Sequence, residues 1–464
     1  MKLRQTIYAA MAGAVMLMAT ASCGIYKKYE TPRNTALTAA YAEARADSST
    51  YDKGAFGNLL WEDVFKDPVL ADMINRALAN NTSLQDARLN VGIAQAQLKG
   101  ARLAYLPSLS IAPNGTGSGT TLAGTSWQWA YQLPATLSWE VDIFGKLLNS
   151  KRGAAVAVER SEDYAQAVRS QVVAAVANCY YSMAAVESQL KLSRSTAMLW
   201  EKSVQTMRDL KDGGRLTEAA VVQSDANYRS VLAQINTLEV TRHQLDNSMS
   251  LLMNVMPQHW EVAADATLEI PDIFMQGVPM QYLAMRPDVN AAERDMASAY
   301  YATNSARAAF YPGLTITANG GFTNQLGTMI KNPGEWFYNI AGSLVAPIFS
   351  RGQNIARLEA ARLNQKIALN AFERTVLNAA AEVSNALTVY EKAGERMSHL
   401  DVQVADLEKS VEYTNDLLVY ADGTYLEVLT AQQSLLSAQM NRINCALDRS
   451  QAIVNLYQAT GGGR

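Results

Sequence analysis

Side chains able to do chemistry are few in this sequence, and most are scattered. His243, His259 and His399 lack metal-ligand spacing, and no Ser-His-Asp order is present. Cys179 and Cys445 sit in apolar stretches without CxxC partners, which reads as buried free thiols. The run 114–119 is glycine-rich but has no Lys and opens no helix, so it fits an exposed loop better than a phosphate cradle. No catalytic constellation, metal centre or cofactor site follows from these residues. Cys23 differs. Lys2 and Arg4 precede an apolar stretch from Ile7 to Ala21, and Thr20-Ala21-Ser22 leads directly into the thiol. That pattern reads as a signal peptide over residues 1–22 ending in a lipoprotein box, whose chemistry is lipid attachment at Cys23; simple cleavage nearby is the competing outcome. Thr424 and Glu427 form a Thr-x-x-Glu capping box beside Asp422-Gly423, with Tyr420 and Tyr425 flanking the turn.

Composition narrows the classes. The 464 residues are 49% hydrophobic and 18% charged, which is neither disordered nor a polytopic helical membrane protein. Lys plus Arg number 40 against 43 Asp plus Glu, so there is no basic excess to hold nucleic acid. Length alone suggests roughly three domains.

An internal repeat replaces that estimate. The segment from Ala101 through Pro107 to Ile111 aligns with Ala306 through Pro312 to Ile316 at an offset of 205 residues. Ile143-Phe144 falls on Ile348-Phe349 and Asn149 on Asn354 at the same offset, while near the unit ends Gly214 and Glu218 fall on Gly423 and Glu427 with a small drift. Each unit reads as a leading helix (68–104 and 287–310), two strands (108–143 and 313–348), then two very long helices (145–253 and 352–459). The remaining chain divides into a lipidated extended segment at 23–66 and a connector at 255–280. The repeats span 67–254 and 281–460.

Period-two alternation marks the strands. Trp127, Trp129, Tyr131, Leu133, Leu137, Trp139 and Val141 take odd positions, with Gln128, Gln132, Thr136, Ser138 and Glu140 between them. Trp336, Tyr338, Ile340 and Leu344 repeat the phase. Such a run is long enough to cross a bilayer as a tilted strand, with Trp127, Trp129, Trp139 and Trp336 as an aromatic girdle; a half-buried soluble sheet is the alternative. Pro-free runs at 145–210 and 352–420 predict helices on the order of 100 Å long. The spacing of Trp200, Val204 and Met207, and of Leu400, Val404, Leu407, Val411 and Leu418, predicts coiled-coil packing. Gly213, Gly214 and Gly423 are expected to relieve left-handed conformations where the helices reverse. Two strand pairs per chain cannot close a barrel, so several chains must combine: two would close eight strands, three would close twelve.

The duplicated unit, the segment Leu283-Ala284-Met285-Arg286-Pro287-Asp288 with Ala291-Ala292-Glu293-Arg294, the landmarks Pro312 and Pro347-Ile348-Phe349, and the terminal Gly461-Gly462-Gly463 resemble the TolC/OprM outer-membrane factor family, in its NodT-type lipoprotein branch. The resemblance implies a mainly α protein with membrane β: a homotrimer joining a twelve-stranded outer-membrane barrel to a periplasmic tunnel of coiled-coil helices. It implies outer-membrane lipid around the barrel, a periplasmic membrane-fusion adaptor, and an inner-membrane pump that is proton-driven in this branch. The implied function is the passive exit channel of a tripartite efflux system, with no enzyme activity. A type I secretion duct or a non-conducting lipoprotein scaffold are the alternatives. By the family pattern the tunnel narrows at the helical tips, where Glu427 is the first candidate for an acidic ring and Asp422 the second. Thr430 and Val221 stand where relatives can carry acids. Tyr420 and Tyr425 either help close that aperture or pack the hairpin end.

Overall fold

The computed structural model describes residues 25–46, 59–119, 127–263, 266, 280–326, 329–420 and 424–463. Cys23, Asp422 and Gly423, and the signal peptide, lie outside the described residues. The chain divides into two compact units. The first comprises residues 1–33, 89–162 and 291–373, and the second residues 34–88, 163–290 and 374–464.

Helices dominate. After α1 (Ala36–Ala46) and the single turn α2 (Trp61–Val64) come α3 (Pro68–Asn80) and α4 (Thr82–Leu103). The segment 23–66, expected to be extended, therefore contains a helix. Its cause is local: the run is alanine-rich, and Thr35 accepts the Thr38 amide at 3.3 Å while fully buried Tyr41 anchors the face. The leading helix expected over 68–104 is likewise two helices. Asn81 ends α3 in an extended conformation, accepts the Leu84 amide at 3.1 Å, and donates to the Leu252 carbonyl at 3.0 Å. Asparagine makes a better N-cap than helix interior, so the break falls there. Asp67 starts α3 by accepting the Val69 amide at 2.8 Å, with Pro68 at the first helical position.

The strands follow: β1 (Ser108–Ile111), β2 (Asn114–Ser118) and β3 (Gln128–Val141), then, after α5 (Lys146–Asp212), α6 (Glu218–Leu252), α7 (Met280–Met285) and α8 (Pro287–Ala308), the long strands β4 (Gly313–Leu326) and β5 (Met329–Val345). All join one antiparallel sheet in which β1 and β2 both pair with β3, and β3, β4 and β5 follow in order. Four strands were expected and five stand among the described residues. Ser108↔Ser138 and Asn114↔Gln132 belong to one uninterrupted register, so β1 and β2 are a single arm broken where Pro113 has no N–H to give the ladder.

Two long pairs complete the chain: α5 with α6, and α9 (Gln353–Tyr420) with α10 (Tyr425–Ala459). Helices α5 and α9 have 67 and 68 residues, and α6 and α10 have 35 each. In the second unit Val186, Leu190 and Ala197 of α5 pack on Val231 and Ile235 of α6, while Ala393 and Leu400 of α9 pack on Cys445 of α10. The seam residues Trp200, Val204 and Met207 are buried. Trp61, Phe65, Leu70, Ile74, Tyr180 and Tyr457 are among the largest fully buried side chains, and the Phe65 and Tyr457 rings meet edge to face at 5.7 Å.

Candidate functional site

Antiparallel partners share a face, so the sheet's registers sort its side chains into two surfaces. Leu109, Leu137, Ala318 and Ile340 form one row of the first surface; Leu133, Phe322 and Trp336 form another, and Trp139 with Ile316 a third. Ser110, Thr136, Asn319 and Asn339 form a row of the opposite surface, and Gln132, Thr323 and Glu335 another. The apolar surface is not covered. Trp336, Tyr338 and Ile340 are 73%, 91% and 76% exposed, and Trp127, Trp129, Leu133 and Leu137 are exposed as well. A soluble sheet buries such a face against helices; this one leaves it open, with Ile316 and Ala318 in these rows, and Val141 at the strand end, half-buried.

The four predicted girdle residues lie on this surface: Trp127 and Trp129 form an upper level, and Trp336 lies below it in the row of Leu133. Trp127 and Trp129 meet edge to face at 6.1 Å, and Trp336 packs on Phe322 at 4.5 Å. Trp139 is near the other end, where its indole N–H donates to the Tyr105 carbonyl at 2.9 Å. Sequence reasoning missed the device that holds the upper level. A bulge between Thr323 and Gln325 turns Asn324 inward, where its side chain accepts from the Tyr131 amide at 2.6 Å and donates to the Trp129 carbonyl at 3.0 Å.

At the α9–α10 turn, Tyr420 ends α9 almost fully exposed and Tyr425 opens α10 half-buried. Glu427 is exposed at the third position of α10, and its carboxylate accepts the Thr424 amide at 3.1 Å in a capping box. The turn between α5 and α6 is built differently. Arg215 donates its amide to the Leu210 carbonyl at 2.8 Å and Gly214 to Lys211 at 2.8 Å, a Schellman closure in which Gly214 takes φ +74°. Gly213 keeps an ordinary negative φ; one left-handed residue suffices for this closure, so only Gly214 of the pair has the predicted role. Glu218 does not copy Glu427 either: it is the first residue of α6 and pairs with Lys211 across the turn at 2.6 Å.

Two buried arginines organise the helices of the second unit. The Arg242 guanidinium donates to Glu187 at 2.7 Å, and to Asp246 and the Trp260 carbonyl. Asp246 also accepts the Trp260 amide at 3.0 Å and faces His259 Nδ1 at 3.0 Å. Burial pushes the Asp246 pKa upward, but hydrogen bonds from His259 and Arg242 outweigh it and hold the carboxyl below the ordinary carboxylate value. The i,i+4 spacing of Arg242 and Asp246 was a signal, but on a helix it reads as a surface pair. Arg286 makes a fork with Asp288 at 3.0 and 2.7 Å, reaches Glu382 at 2.6 Å, and donates to the Ala459 carbonyl at 2.9 Å, tying α8 to α9 and α10. The terminal glycines fit beside it. Gly461 has φ +90° against Arg286, and a Cβ on Gly463, at φ +89°, would meet the Ser170 Cα at 2.7 Å. Among the described residues no group of three or more His, Cys, Asp or Glu side chains is placed to hold a metal ion.

Comparison with known proteins agrees with this geometry. The outer membrane efflux protein family model matches residues 73–255 and 278–462. The toluene efflux pump outer membrane protein TtgC of Pseudomonas putida is 27% identical over 97% of this chain and 94% of its own length. The probable outer membrane lipoprotein SilC of Salmonella typhimurium is 26% identical over 87% of this chain and 88% of its own. Among solved structures, the open state of the Neisseria gonorrhoeae MtrE outer membrane channel superposes with a TM-score of 0.76 at 28% identity, covering 87% of this chain and 92% of that one.

Proposed function

The chain belongs to the outer membrane efflux protein family, and on that premise we propose that it is the outer-membrane channel of a tripartite efflux system, conducting passively what a periplasmic adaptor and inner-membrane pump deliver. The observation that carries the reading is the open apolar face of the sheet, backed by a face of Ser, Thr, Asn and Gln. Lipid suits the first surface and a water-filled lumen the second. Trp129 and Trp139 are ten positions apart, about 33 Å along a strand and about 25 Å after a typical barrel tilt, the height of an outer-membrane apolar band. They then bracket the membrane as a girdle.

One sheet has two edges, and lipid offers no partner for an edge, so closure recruits further copies. Three chains would give a homotrimeric barrel with a lumen wide enough for water, and the long helices would continue it as a tunnel, with adaptor and pump at the helical tips. The element order runs twice with matched helix lengths, which supports an internal duplication. Glu427 projects from a tip and would contribute one acid per chain to a ring there, while also capping α10. Asp422 would reinforce it, and Tyr420, exposed beside the turn, would narrow the aperture with Tyr425. Cys23 would carry the lipid that anchors the N-terminus in the outer membrane.

Planar-bilayer recording of the purified full chain tests this. Discrete conductance steps are expected, and Glu427→Gln, which keeps the cap's hydrogen-bond acceptor, should alter cation selectivity and block by multivalent cations. A bilayer that stays sealed even with the tip mutated would support a non-conducting scaffold instead. Unchanged conductance, selectivity and block in Glu427→Gln would remove the ring alone.

A further inference from the structure

All four arms of the sheet join helices at one rim: Ser108↔Ser138, Val141↔Leu314 and Gly313↔Val345 place the starts of β1 and β4 and the ends of β3 and β5 side by side. The rim is aromatic, with Trp139 bonded to the Tyr105 carbonyl and Phe144 stacked on Tyr311 at 4.9 Å. The chain just after Cys23 is strapped across it. Asn149 donates to the Ile25 carbonyl at 3.0 Å, Arg152 to the Tyr26 carbonyl at 2.9 Å, and Tyr26 OH to the Ile143 carbonyl, while the Tyr29 amide donates to Tyr301 OH at 3.1 Å.

This strap has a chemical consequence. It holds the Lys27 backbone against the helix, where Arg152 reaches the Lys27 carbonyl at 3.4 Å; exposed Lys28 follows Lys27, and exposed Lys151, whose ammonium lies 5.6 Å from the centre of the Tyr105 ring, precedes Arg152. In the second half of the sheet, exposed Arg351 and Arg357 stand where the 205-residue offset places Lys146 and Arg152. The acids placed here are fewer than the cations: Glu140 is paired with Lys146 at 2.8 Å, and Asp142 keeps its charge while accepting the Leu147 and Leu148 amides at 3.1 and 2.7 Å. Glu30 is the one acid in residues 25–33. The whole chain has a formal net charge of -3, so positive charge here is a local placement and not a compositional accident.

We infer that this rim is a binding surface for anionic phospholipid headgroups, an inference that rests on the apolar face being lipid-facing. Cations and amphipathic rings at the margin of an apolar band match a headgroup layer, and each Lys or Arg near an anionic surface is worth about fivefold in association. The free-phosphate source is disfavoured because the cations are spread along the band's margin and do not converge on one point.

Spin-label measurements on the full chain reconstituted in phosphatidylcholine vesicles test it. Traces of spin-labelled phosphatidylglycerol and phosphatidylcholine report the lipid held at the protein surface. The motionally restricted component should favour phosphatidylglycerol by about threefold or more, fall to parity in 1 M salt, and be unaffected by 10 mM inorganic phosphate. The triple variant Lys27→Gln, Lys28→Gln, Lys151→Gln should lose the preference while keeping the restricted phosphatidylcholine component, and the corresponding Lys→Arg variant should retain it. Equal restriction of both lipids by the wild type would overturn the headgroup surface and leave the channel reading standing. Absence of any restricted component would instead overturn the lipid-facing sheet itself. Loss of the preference with phosphate would assign the rim to the free anion.

Discussion

At the scale of single residues, the heaviest demands fall on buried charge. Arg242 and Asp246 are 5% exposed each, and every charged oxygen or nitrogen between them is spoken for by Glu187, His259 or the Trp260 backbone. Removing one partner leaves the other ionised without water. Arg242→Met should therefore destabilise by about 3–5 kcal/mol, far more than loss of an exposed pair such as Arg194 with Glu239. Protonation acts through the same oxygens. Because the folded Asp246 carboxyl titrates below its unfolded value, its contribution is complete above the unfolded pKa of about 3.9 and is lost as pH falls through the lower folded value. The melting-temperature gap between wild type and Asp246→Asn should be constant near neutrality and shrink below about pH 4. Circular dichroism melts across that range check it; a gap that persists undiminished into acid would mean the carboxylate's charge is not what stabilises the fold.

At the scale of elements, the sheet gives the sharpest contrast, because adjacent residues of one strand meet opposite surroundings. Leu137→Arg puts a charge on the open apolar face and should cost about 2–4 kcal/mol in a bilayer, whereas Thr136→Arg, one residue away on the polar face, should leave insertion intact and change ion selectivity. Heat-modifiability and protease protection after reconstitution separate the two; equal effects would sink the assignment of faces. That alternation was legible in the sequence, as were the long helices, because both rest on periodicity carried by many residues at once. Features set by one residue were harder. Asn81 and Pro113 each interrupt an element, and their types did signal a break, but within runs of correct period. The bulge at Asn324 and the single left-handed residue at Gly214 depend on which neighbour closes the hydrogen bond, which no spacing specifies. The Arg286 fork was visible only as part of a motif; its reach to Glu382 and the Ala459 carbonyl joins residues far apart in the chain.

At the scale of the whole molecule, the unsatisfied edges decide. β5 on one side and the β1–β2 arm on the other have no second neighbour among the described residues, and exposed edges next to an apolar face invite pairing with another copy. The two edges belong to different strands, so a contact between copies that paired them would be heterologous: the β1–β2 edge of one copy would meet β5 of the next, and a closed ring would satisfy both edges of every chain. Ring size then follows from curvature, and eight strands leave an interior that side chains fill while twelve leave room for water. Co-expressing chains with a long and a short affinity tag counts the copies without reference to conduction. A ring of n chains gives n + 1 bands on a native gel, so a trimer yields four species, with the two mixed species in excess when the tags are expressed equally. Three bands would mean a dimer, whose closed eight strands would have no water-filled lumen, and the passive channel would then need a path other than the interior of its sheet.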